Sequence, residues 1–434
     1  MDLDALRKKL NATTATAVRG RVLAVTGLAL RFALPGVRVG DVVVVRRRGE
    51  PLLCEVVGFT QGEAIGMPLG SLVGVGPDDA VETLEPPGGF RVPVSEALLG
   101  RVVDGLGRFL DEGPPLPDGT TDVPSYRDPP KALERRPIRD VLPTGVRVVD
   151  ALLTIGEGQR VGLFAGSGVG KSTLLGAIAR GAKADVVVCA LVGERGREVA
   201  EFLEQLGEEG RRKAIVVAAT SDVPALERLR SAEVATAYAE WFRDRGQKVL
   251  LVVDSITRYA RALREVGLSA GEPPTRRGYP PSVFAALPRL LERAGQGSGG
   301  SITGIYTVLV EGGDLDEPVA DEVRGILDGH IVLDRKLAER GRYPAVDVPG
   351  SLSRLMSALV SKDHKRLATR LRTLVAVYES KRDLVTLGAY TRGADKTLDD
   401  AIAKLAGIDR LLSQAPHEIA QFEDTLERLS DLVG

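Results

Sequence analysis

The sequence predicts an α/β protein in which a small β-barrel, a central parallel sheet with helices, and a helical C-terminal part follow one another. Residues 18–85 contain short β-rich runs separated by Gly and Pro, a pattern typical of a barrel or sandwich. Residues 145–350 alternate apolar strands with amphipathic helices, which favours a mainly parallel sheet. After residue 355 helical patterns dominate. A chain of 434 residues leaves room for about three domains.

The N-terminal part begins with a separate segment, residues 1–17. Its leucines recur at helical spacing beside basic residues. This pattern indicates either a frayed terminal turn or a helix that docks on a partner or an anionic membrane surface. The barrel is predicted to run from residue 18 to 85, and its clearest strands are Arg21–Val25, Val42–Arg46 and Leu53–Val57.

The central part, residues 86–355, holds the predicted sheet. Gly113–Pro130 is rich in proline, which removes N–H donors and fixes φ, so we expect an ordered surface linker rather than a long helix or strand. The predicted strands are Arg160–Phe164, Val186–Leu191, Ala214–Ala218, Val249–Val253 and Ile302–Val310. Residues 356–434 are predicted to form a helical domain.

Composition and charge exclude several classes of protein. Lys+Arg number 58 and Asp+Glu 59, a net charge of −1, whereas nucleic-acid-binding proteins usually carry a basic excess; we expect no nucleic-acid partner. Cys54 and Cys189 lie in Val-rich runs and are expected to be small buried hydrophobic residues, not a disulfide framework. No run is long and apolar enough to span a bilayer, and the charged N-terminus does not resemble a signal peptide, so we expect a cytoplasmic protein.

The strongest chemical signal is the segment Ala165–Ser172, AGSGVGKS. It follows the apolar run Val161–Phe164 and precedes the helical run Thr173–Arg180, which is the strand–loop–helix context of a phosphate-binding P-loop. Its glycines let backbone N–H groups surround phosphate oxygens, and the helix N-terminus adds its dipole. The residues expected to contact the nucleotide are Gly166, Ser167, Gly168, Val169, Gly170, Lys171, Ser172 and Thr173.

Charged and hydroxyl side chains around this loop suggest the rest of the site. Lys171 is expected to reach the β- and γ-phosphates, and the Ser172 hydroxyl to ligate Mg²⁺. Asp254 ends the apolar run Val249–Val253 and is the expected second Mg²⁺ element. Glu194 also follows a predicted strand, where functional groups gather in parallel sheets. Spacing alone leaves two roles open for it: polarising the attacking water, or stabilising a helix N-terminus.

Several segments resemble the catalytic subunits of rotary ATP synthases, namely Gly166–Thr173, Gly193–Arg195, Asp254–Tyr259 and Tyr343–Asp347. The segment Pro344–Ser353 fits the signature shared by that superfamily. The chain is still more similar to the type III secretion export ATPases, as judged from Gly271–Phe284 and Tyr306–Gly312. The resemblance extends from about Val18 to the C-terminal helices. It implies a RecA-like P-loop NTPase core with an N-terminal β-barrel and a C-terminal helical domain.

The resemblance implies roles that spacing alone does not give. Glu194 would be the catalytic carboxylate that activates water, and Arg195 a charge that helps to order the γ-phosphate site. Tyr343 would stack on the adenine ring. Arg354 would be an arginine finger that reaches into the neighbouring subunit's site, although spacing alone does not exclude an ordinary surface ion pair. The implied ligands are ATP and Mg²⁺.

One chain type is sufficient for this chemistry, because Lys171, Glu194 and Arg354 all lie in it. A homo-oligomer with head-to-tail contacts that close into a ring would then build each active site at a subunit interface. The resemblance implies six subunits. Since an arginine finger contributes about 10³–10⁵ to turnover, the monomer is expected to be nearly inactive.

The resemblance also implies partners. Arg276–Pro281 is similar to the lining of an axial sleeve, and Glu311–Asp316 to a loop that meets a central stalk, although a solvated acidic turn would look the same. A separate coiled-coil stalk protein is implied, together with a stator-like regulator and peripheral association with the export gate at the cytoplasmic face of the inner membrane. The amphipathic C-terminal helices either bind chaperone–effector complexes or pack as core.

The leading hypothesis is a homohexameric ATPase that energises type III protein secretion, releasing chaperones from exported proteins and helping to unfold them. Ser301–Thr303, Val310–Glu322 and Arg335–Leu337 look more like the injectisome branch than the flagellar branch. The alternatives are a flagellar export ATPase, an ATP synthase alpha/beta-type subunit, an RNA translocase and a regulator without turnover. An RNA translocase needs an aromatic barrel, whereas the aromatic residues of this barrel region are Phe32 and Phe59. The presence of both Glu194 and Arg354 argues against a regulator.

Overall fold

A computed structural model of the chain describes residues 19–84 and 88–434. The predicted segment 1–17 lies outside the described residues, and the predicted boundary between residues 85 and 86 falls in the gap. Within the described residues the α/β prediction is confirmed, because a barrel, a large sheet with helices on both faces and a helical part follow one another.

The barrel contains six strands that close in the order β1-β2-β5-β4-β3-β6, with β6 paired to β1. Closure leaves no strand edge open for unwanted pairing. Alternate side chains point inward, as those of Val43 and Val45 do, and Cys54 is buried beside them as predicted. The strands are β1 (Arg19–Thr26), β2 (Ala29–Ala33), β3 (Val42–Arg46), β4 (Leu52–Thr60), β5 (Glu63–Pro68) and β6 (Ala80–Thr83).

A short two-stranded sheet connects the barrel to the large sheet. It pairs β7 (Arg91–Val94) with an antiparallel strand inside the proline-rich segment, so this segment is more than the surface linker that its composition predicts. Pro93 and Pro124 sit on this small sheet, where every strand is an edge strand and proline is tolerated. The next strands in the chain are β8 (Val102–Asp104) and β9 (Thr121–Pro124).

The large sheet has the order β17-β16-β10-β15-β13-β11-β12-β8, and β14 pairs with β15. Its central pairings are parallel, and β14 and β17 are antiparallel. All five predicted strands are present, within three residues at each end. The remaining strands are β10 (Arg160–Ala165), β11 (Val186–Glu194), β12 (Ala214–Thr220), β13 (Lys248–Asp254), β14 (Gly295–Gln296), β15 (Ser301–Leu309), β16 (Gly329–Leu333) and β17 (Leu352–Ser353).

Helices cover both faces of this sheet. Alternate residues of one strand enter different cores: Val187 and Cys189 pack on one face, Val186 and Val188 on the other. This explains why the buried parallel strands read as unbroken apolar runs. The helices are α1 (Arg147–Leu152), α2 (Lys171–Gly181), α3 (Gly196–Arg212), α4 (Ala225–Arg243), α5 (Ile256–Ser269), α6 (Pro281–Leu291), α7 (Pro318–Ile326) and α8 (Arg335–Glu339).

The C-terminal part is helical, as predicted. Its apolar stripes pack inward. The core on one face of the sheet includes Leu371, Leu411 and Leu429. This burial corresponds to the alternative in which the C-terminal helices pack as core. No helix within the described ranges is long and apolar enough to cross a bilayer. The helices are α9 (Met356–Leu359), α10 (Lys362–Thr386), α11 (Lys396–Leu412) and α12 (Phe422–Val433).

The barrel is joined to α4 by a buried cluster of three charges. Arg230 on α4 contacts Glu55 on β4, with 3.0 Å between Nε and Oε2, and also contacts Glu233. All three residues are less than 9% exposed. A guanidinium between two carboxylates compensates both, so its removal would leave two uncompensated charges at this joint.

Replacing Arg230 by Met is therefore expected to lower the free energy of unfolding by about 3–5 kcal/mol. Urea unfolding of the variant and the unchanged protein would measure the difference. Arg19→Met is the control, because Arg19 also pairs with a barrel carboxylate, that of Glu82, but its side chain is 70% exposed; its effect should stay below about 1 kcal/mol. Equal losses in the two variants would contradict the expectation.

Candidate nucleotide-binding site

The carboxyl ends of β10, β15, β13 and β11, four neighbours in the sheet, meet at one edge. The P-loop follows β10, Asp254 ends β13 and Glu194 ends β11. Functional groups collect at this edge of a parallel sheet, and here the P-loop and Glu194 border a cleft of about 800 Å³. The structure thus brings together the P-loop, Glu194 and Asp254, which are far apart in the sequence.

The P-loop has the backbone that its glycines predict. Gly168 and Gly170 have φ angles of 77° and 88°, which residues with a Cβ rarely adopt. Val169 between them is 1% exposed and anchors the loop in the core. Helix α2 begins immediately afterwards at Lys171, so its free N–H groups and dipole point toward the cleft. This arrangement suits a phosphate group.

Lys171 bridges the carboxylates of Glu194 and Asp254. Its Nζ lies 3.2 Å from Oε1 of Glu194 and also contacts the Asp254 carboxylate. The lysine side chain is 13% exposed and each carboxylate side chain 4%. Two carboxylates this deeply buried need a shared cation, and Lys171 supplies it.

Asp254 is oriented by a hydroxyl from the neighbouring strand. Thr307 Oγ1 donates a hydrogen bond of 2.7 Å to its Oδ1. The Asp254 carboxylate and the Ser172 hydroxyl are oxygen donors of the kind that Mg²⁺ prefers. Among the described residues no group of three or more His, Cys, Asp and Glu side chains is arranged to hold a metal. This donor pair therefore fits an ion that is completed by substrate phosphates, as Mg²⁺ commonly is.

Glu194 lies between positive charges. Its Oε1 faces Lys171 and its Oε2 pairs with Arg258 on α5. Burial raises the pKa of Glu194, and a hydrogen bond shared with the Glu198 carboxyl raises it further, while Lys171 and Arg258 oppose the shift. A carboxylate with a raised pKa is a better proton acceptor at neutral pH.

Arg258 is a site residue that sequence reasoning did not single out. It lies within the recognised segment Asp254–Tyr259, but its contact with Glu194 depends on how α5 packs beside β11. Ser255 caps this helix, its side chain accepting from the Arg258 N–H. A basic residue one turn after an acidic strand end is the available sequence signal, and it is weak.

Replacing Arg258 by Ala is expected to move the acidic limb of the pH profile of turnover to higher pH. Glu194 must be ionised to accept a proton, so activity is lost as the pH falls through its raised pKa. Removing the adjacent positive charge raises that pKa further. Steady-state rates between about pH 5 and 9 would show the shift. Arg197→Ala is the control, because it removes an exposed arginine of α3, and the acidic limb of its pH profile should not move. An acidic limb that moves to lower pH in Arg258→Ala would contradict the expectation.

Arg195 and Tyr343 occupy the rim of the cleft. Arg195 is exposed at the N-terminal cap of α3 and lines the cleft. Tyr343 is 41% exposed, and a Cβ added to Gly170 would lie 3.3 Å from its ring. The ring is therefore next to the P-loop and accessible for stacking.

The C-terminal part contributes to the same rim. Gln414, Ala415 and Pro416 border a small apolar pocket with Tyr343 and α2, and the Gln414 N–H donates to the Tyr343 carbonyl at 2.8 Å. These three residues were not predicted, because a loop between two helices carries no periodic signal.

Arg354 is the predicted site residue that the structure does not place in the cleft. It follows β17, exposed, at the amino edge of the sheet. Its N–H donates to the Asp328 carbonyl at 3.0 Å and its Nη2 to the Arg324 carbonyl at 3.4 Å. The P-loop begins at the opposite, carboxyl edge of the sheet, and strand β10 spans the distance between the two edges. Six residues of strand span about 20 Å, so Arg354 and Lys171 of one chain do not share a site.

Two family models match the chain: the nucleotide-binding domain of the ATP synthase alpha/beta family over residues 145–353, and the C-terminal domain of the type III secretion ATPase EscN over residues 360–431. Together with the geometry above, these matches define an ATP-hydrolysing P-loop protein of the ATP synthase alpha/beta class.

Similar proteins narrow this class. The type 3 secretion system ATPase of Xanthomonas euvesicatoria is 51% identical over 95% of this chain and 93% of its own length. The flagellum-specific ATP synthase of Bacillus subtilis is 49% identical over 96% and 95%. The solved structure of the assembled ATPase EscN from the enteropathogenic E. coli type III secretion system has a TM-score of 0.91 at 44% identity, covering 96% of this chain and all of that one. The chain belongs to the family of type III secretion ATPases.

Proposed function

We propose that this protein hydrolyses ATP to energise type III secretion, releasing chaperones from exported proteins and helping to unfold them. The observation that carries the proposal is the division of the catalytic set between two edges of the sheet. The P-loop, Glu194 and Asp254 meet at the carboxyl edge, whereas Arg354 lies exposed at the amino edge. A complete site then requires the carboxyl edge of one subunit and the amino edge of the next.

Such a contact joins two different surfaces of identical chains, and repeated contacts of this kind close into a ring. We propose a homohexamer, which the family resemblance implies. A solved relative, EscN, is described as assembled, and in a second structure as a complex with its central stalk EscO, with a TM-score of 0.89 at 44% identity. We propose a coiled-coil stalk protein of the same kind for this chain.

Within each site the residues divide the work. The P-loop N–H groups and Lys171 hold the phosphates. Ser172 and Asp254 would hold Mg²⁺, which when bound would neutralise the charge that develops on the phosphates. Glu194 accepts a proton from the attacking water, and Arg195 orders the γ-phosphate site. Tyr343 stacks on the adenine. Arg354 of the neighbouring subunit completes the site by stabilising the transition state.

The two segments expected at the ring axis lie side by side, which supports the stalk proposal. Arg277, in the turn Arg276–Gly278, pairs with Asp314 at 3.5 Å between Nη1 and Oδ2. The sleeve and the acidic loop thus present one surface. We further propose a stator-like regulator, chaperone–effector complexes as transient partners, and peripheral association with the export gate at the cytoplasmic face of the inner membrane.

We favour the injectisome branch over the flagellar branch, and a genetic experiment separates them. Deletion of the gene in its own organism should abolish secretion of effector proteins while motility is retained. Expression of the unchanged chain should restore secretion, and Lys171→Ala should not, because this variant cannot hold the phosphates. Loss of motility with normal effector secretion would identify the flagellar branch. Full complementation by Lys171→Ala would exclude hydrolysis as the role of the protein.

A further inference from the structure

Gln159 is a fully buried amide at the amino edge of the large sheet, directly before β10. Its Oε1 accepts a hydrogen bond from the Gly156 N–H at 2.8 Å. Its Nε2 donates to the Asp328 carbonyl at 3.2 Å and to Ser353 Oγ at 3.3 Å. Every polar atom of this amide side chain therefore has a partner, and both groups that its Nε2 contacts adjoin Arg354.

The contacts of Gln159 surround the backbone that presents Arg354. Ser353 is the preceding residue, and its hydroxyl donates in turn to the Thr154 carbonyl at 2.8 Å. The Asp328 carbonyl accepts from both Gln159 Nε2 and the Arg354 N–H. Gln159 thus fixes Ser353, the residue before Arg354, and also the Asp328 carbonyl that accepts the Arg354 N–H. It does so without touching the Arg354 side chain.

The backbone around Gln159 and Ser353 is tightly packed. Gly329, at the start of β16, faces Ser353 across the antiparallel pairing. A Cβ added there would lie 2.7 Å from the Leu352 carbonyl oxygen and 3.4 Å from Gln159 Nε2. The backbones approach so closely that the position of Arg354 depends on the amide beside them.

Strand β10 links Gln159 and its contacts to the P-loop of the same subunit. Gln159 precedes its first residue, Arg160, and the P-loop follows its last, Ala165. The strand is hydrogen-bonded on both sides, to β15 and β16. One paired strand therefore carries a phosphate-binding loop at one end and, at the other, the support of an arginine that the proposed function assigns to the neighbouring site.

We infer that Gln159 is a positioning residue for Arg354, and that it acts on the active site of the neighbouring subunit rather than on its own. This inference rests on the proposed interface function. A displacement of about 1 Å in a catalytic group reduces turnover by about 10²-fold. Gln159→Met keeps the length of the side chain and removes its hydrogen bonds, so it is expected to lower kcat by about 10–10² while KM for ATP changes less than about twofold.

The matched control is Gln296→Met. Gln296 lies on β14 at the same edge of the sheet, and its Nε2 donates to the Glu157 carbonyl at 2.6 Å. Within the described part of the chain, its side-chain amide does not hydrogen-bond to Ser353, Asp328 or Arg354. Its replacement removes a comparable amide and should leave kcat within about twofold. Thermal unfolding of both variants would show whether they fold equally well. Should Gln159→Met not fold, Ser353→Ala removes one of its acceptors and takes its place.

The decisive experiment is complementation in mixed oligomers. The P-loop of Lys171→Ala cannot support hydrolysis, but its Arg354 is intact and well placed. When this variant is co-expressed with Gln159→Met, it should supply its arginine to sites whose P-loops come from Gln159→Met chains. With random mixing into a closed ring, about a quarter of the interfaces combine the two parts in this way. ATPase activity should then rise well above the sum of the separate variants, toward about a quarter of that of the unchanged protein.

Co-expression of Arg354→Ala with Lys171→Ala is the reference. If this pair is not rescued, the interface function fails, and the inference fails with it. If it is rescued but Gln159→Met with Lys171→Ala is not, Gln159 acts on its own site or only on stability, and the inference alone is overturned. A loss of kcat in Gln296→Met equal to that in Gln159→Met would also overturn it. Rescue of both pairs, with an active Gln296→Met, is the expected result.

Discussion

Replacing Arg354 by Ala is expected to reduce ATP turnover by about 10³–10⁵, the usual contribution of an arginine finger. The side chain is exposed at the amino edge and contacts its own subunit through one carbonyl at 3.4 Å. Its removal therefore leaves no buried charge unpaired, and stability should change by less than about 0.5 kcal/mol. ATP binding should persist, because Lys171 and the P-loop lie at the other edge.

The measurement is specific ATPase activity against protein concentration. For the unchanged chain, activity per subunit should rise with concentration as interfaces form; for Arg354→Ala it should stay low throughout. Arg366→Ala removes another exposed arginine, on α10, with a 60% exposed side chain, and should behave like the unchanged chain. A flat activity curve with an active Arg354→Ala variant would remove both the finger and the interface site.

Replacing Glu194 by Gln is expected to lower kcat by about 10²–10⁴, because an amide cannot accept the proton of the attacking water. The substitution keeps the shape of the side chain and leaves Lys171 free to bind phosphate. Binding of a fluorescent ATP analogue should therefore be retained or strengthened while hydrolysis is lost.

Glu201→Gln provides the comparison for this variant. Glu201 lines the same cleft from α3 and pairs with Arg197 at its exposed rim, so its neutralisation changes the charge of the cleft without touching the reacting atoms. It should retain most of the turnover. A Glu194→Gln variant with normal kcat would show that the carboxylate serves only to stabilise the start of α3.

The barrel and the parallel strands were predictable because burial dictates their residue types. Strands such as Val186–Glu194 are buried on both faces and therefore read as apolar runs. The short strands β8, β16 and β17 have two to five residues each and no periodicity that local sequence reasoning detects. They form because the long strands beside them offer hydrogen-bonding partners, which is a tertiary effect.

The residues of the site likewise fall into those that could be predicted from the sequence and those that could not. The P-loop, Asp254 and Glu194 are recognisable because each is attached to a strand end, and strand ends meet by topology. Arg258 and Gln159 act through contacts between elements far apart in the sequence. The distance between Arg354 and its own P-loop was equally hidden, because it depends on β17 running antiparallel at the far side of β16.

The placement of the P-loop and Arg354 at opposite edges of the sheet has a genetic consequence. In the proposed ring, every subunit contributes half of two different sites, so a defect encoded by one allele also affects sites that contain the product of the other allele. In rings assembled from equal amounts of unchanged and variant chains, either Lys171→Ala or Arg354→Ala leaves about half of the sites intact, whereas a chain carrying both leaves about a quarter. Dominance of a mutant allele over the normal copy should therefore depend on how many edges it damages.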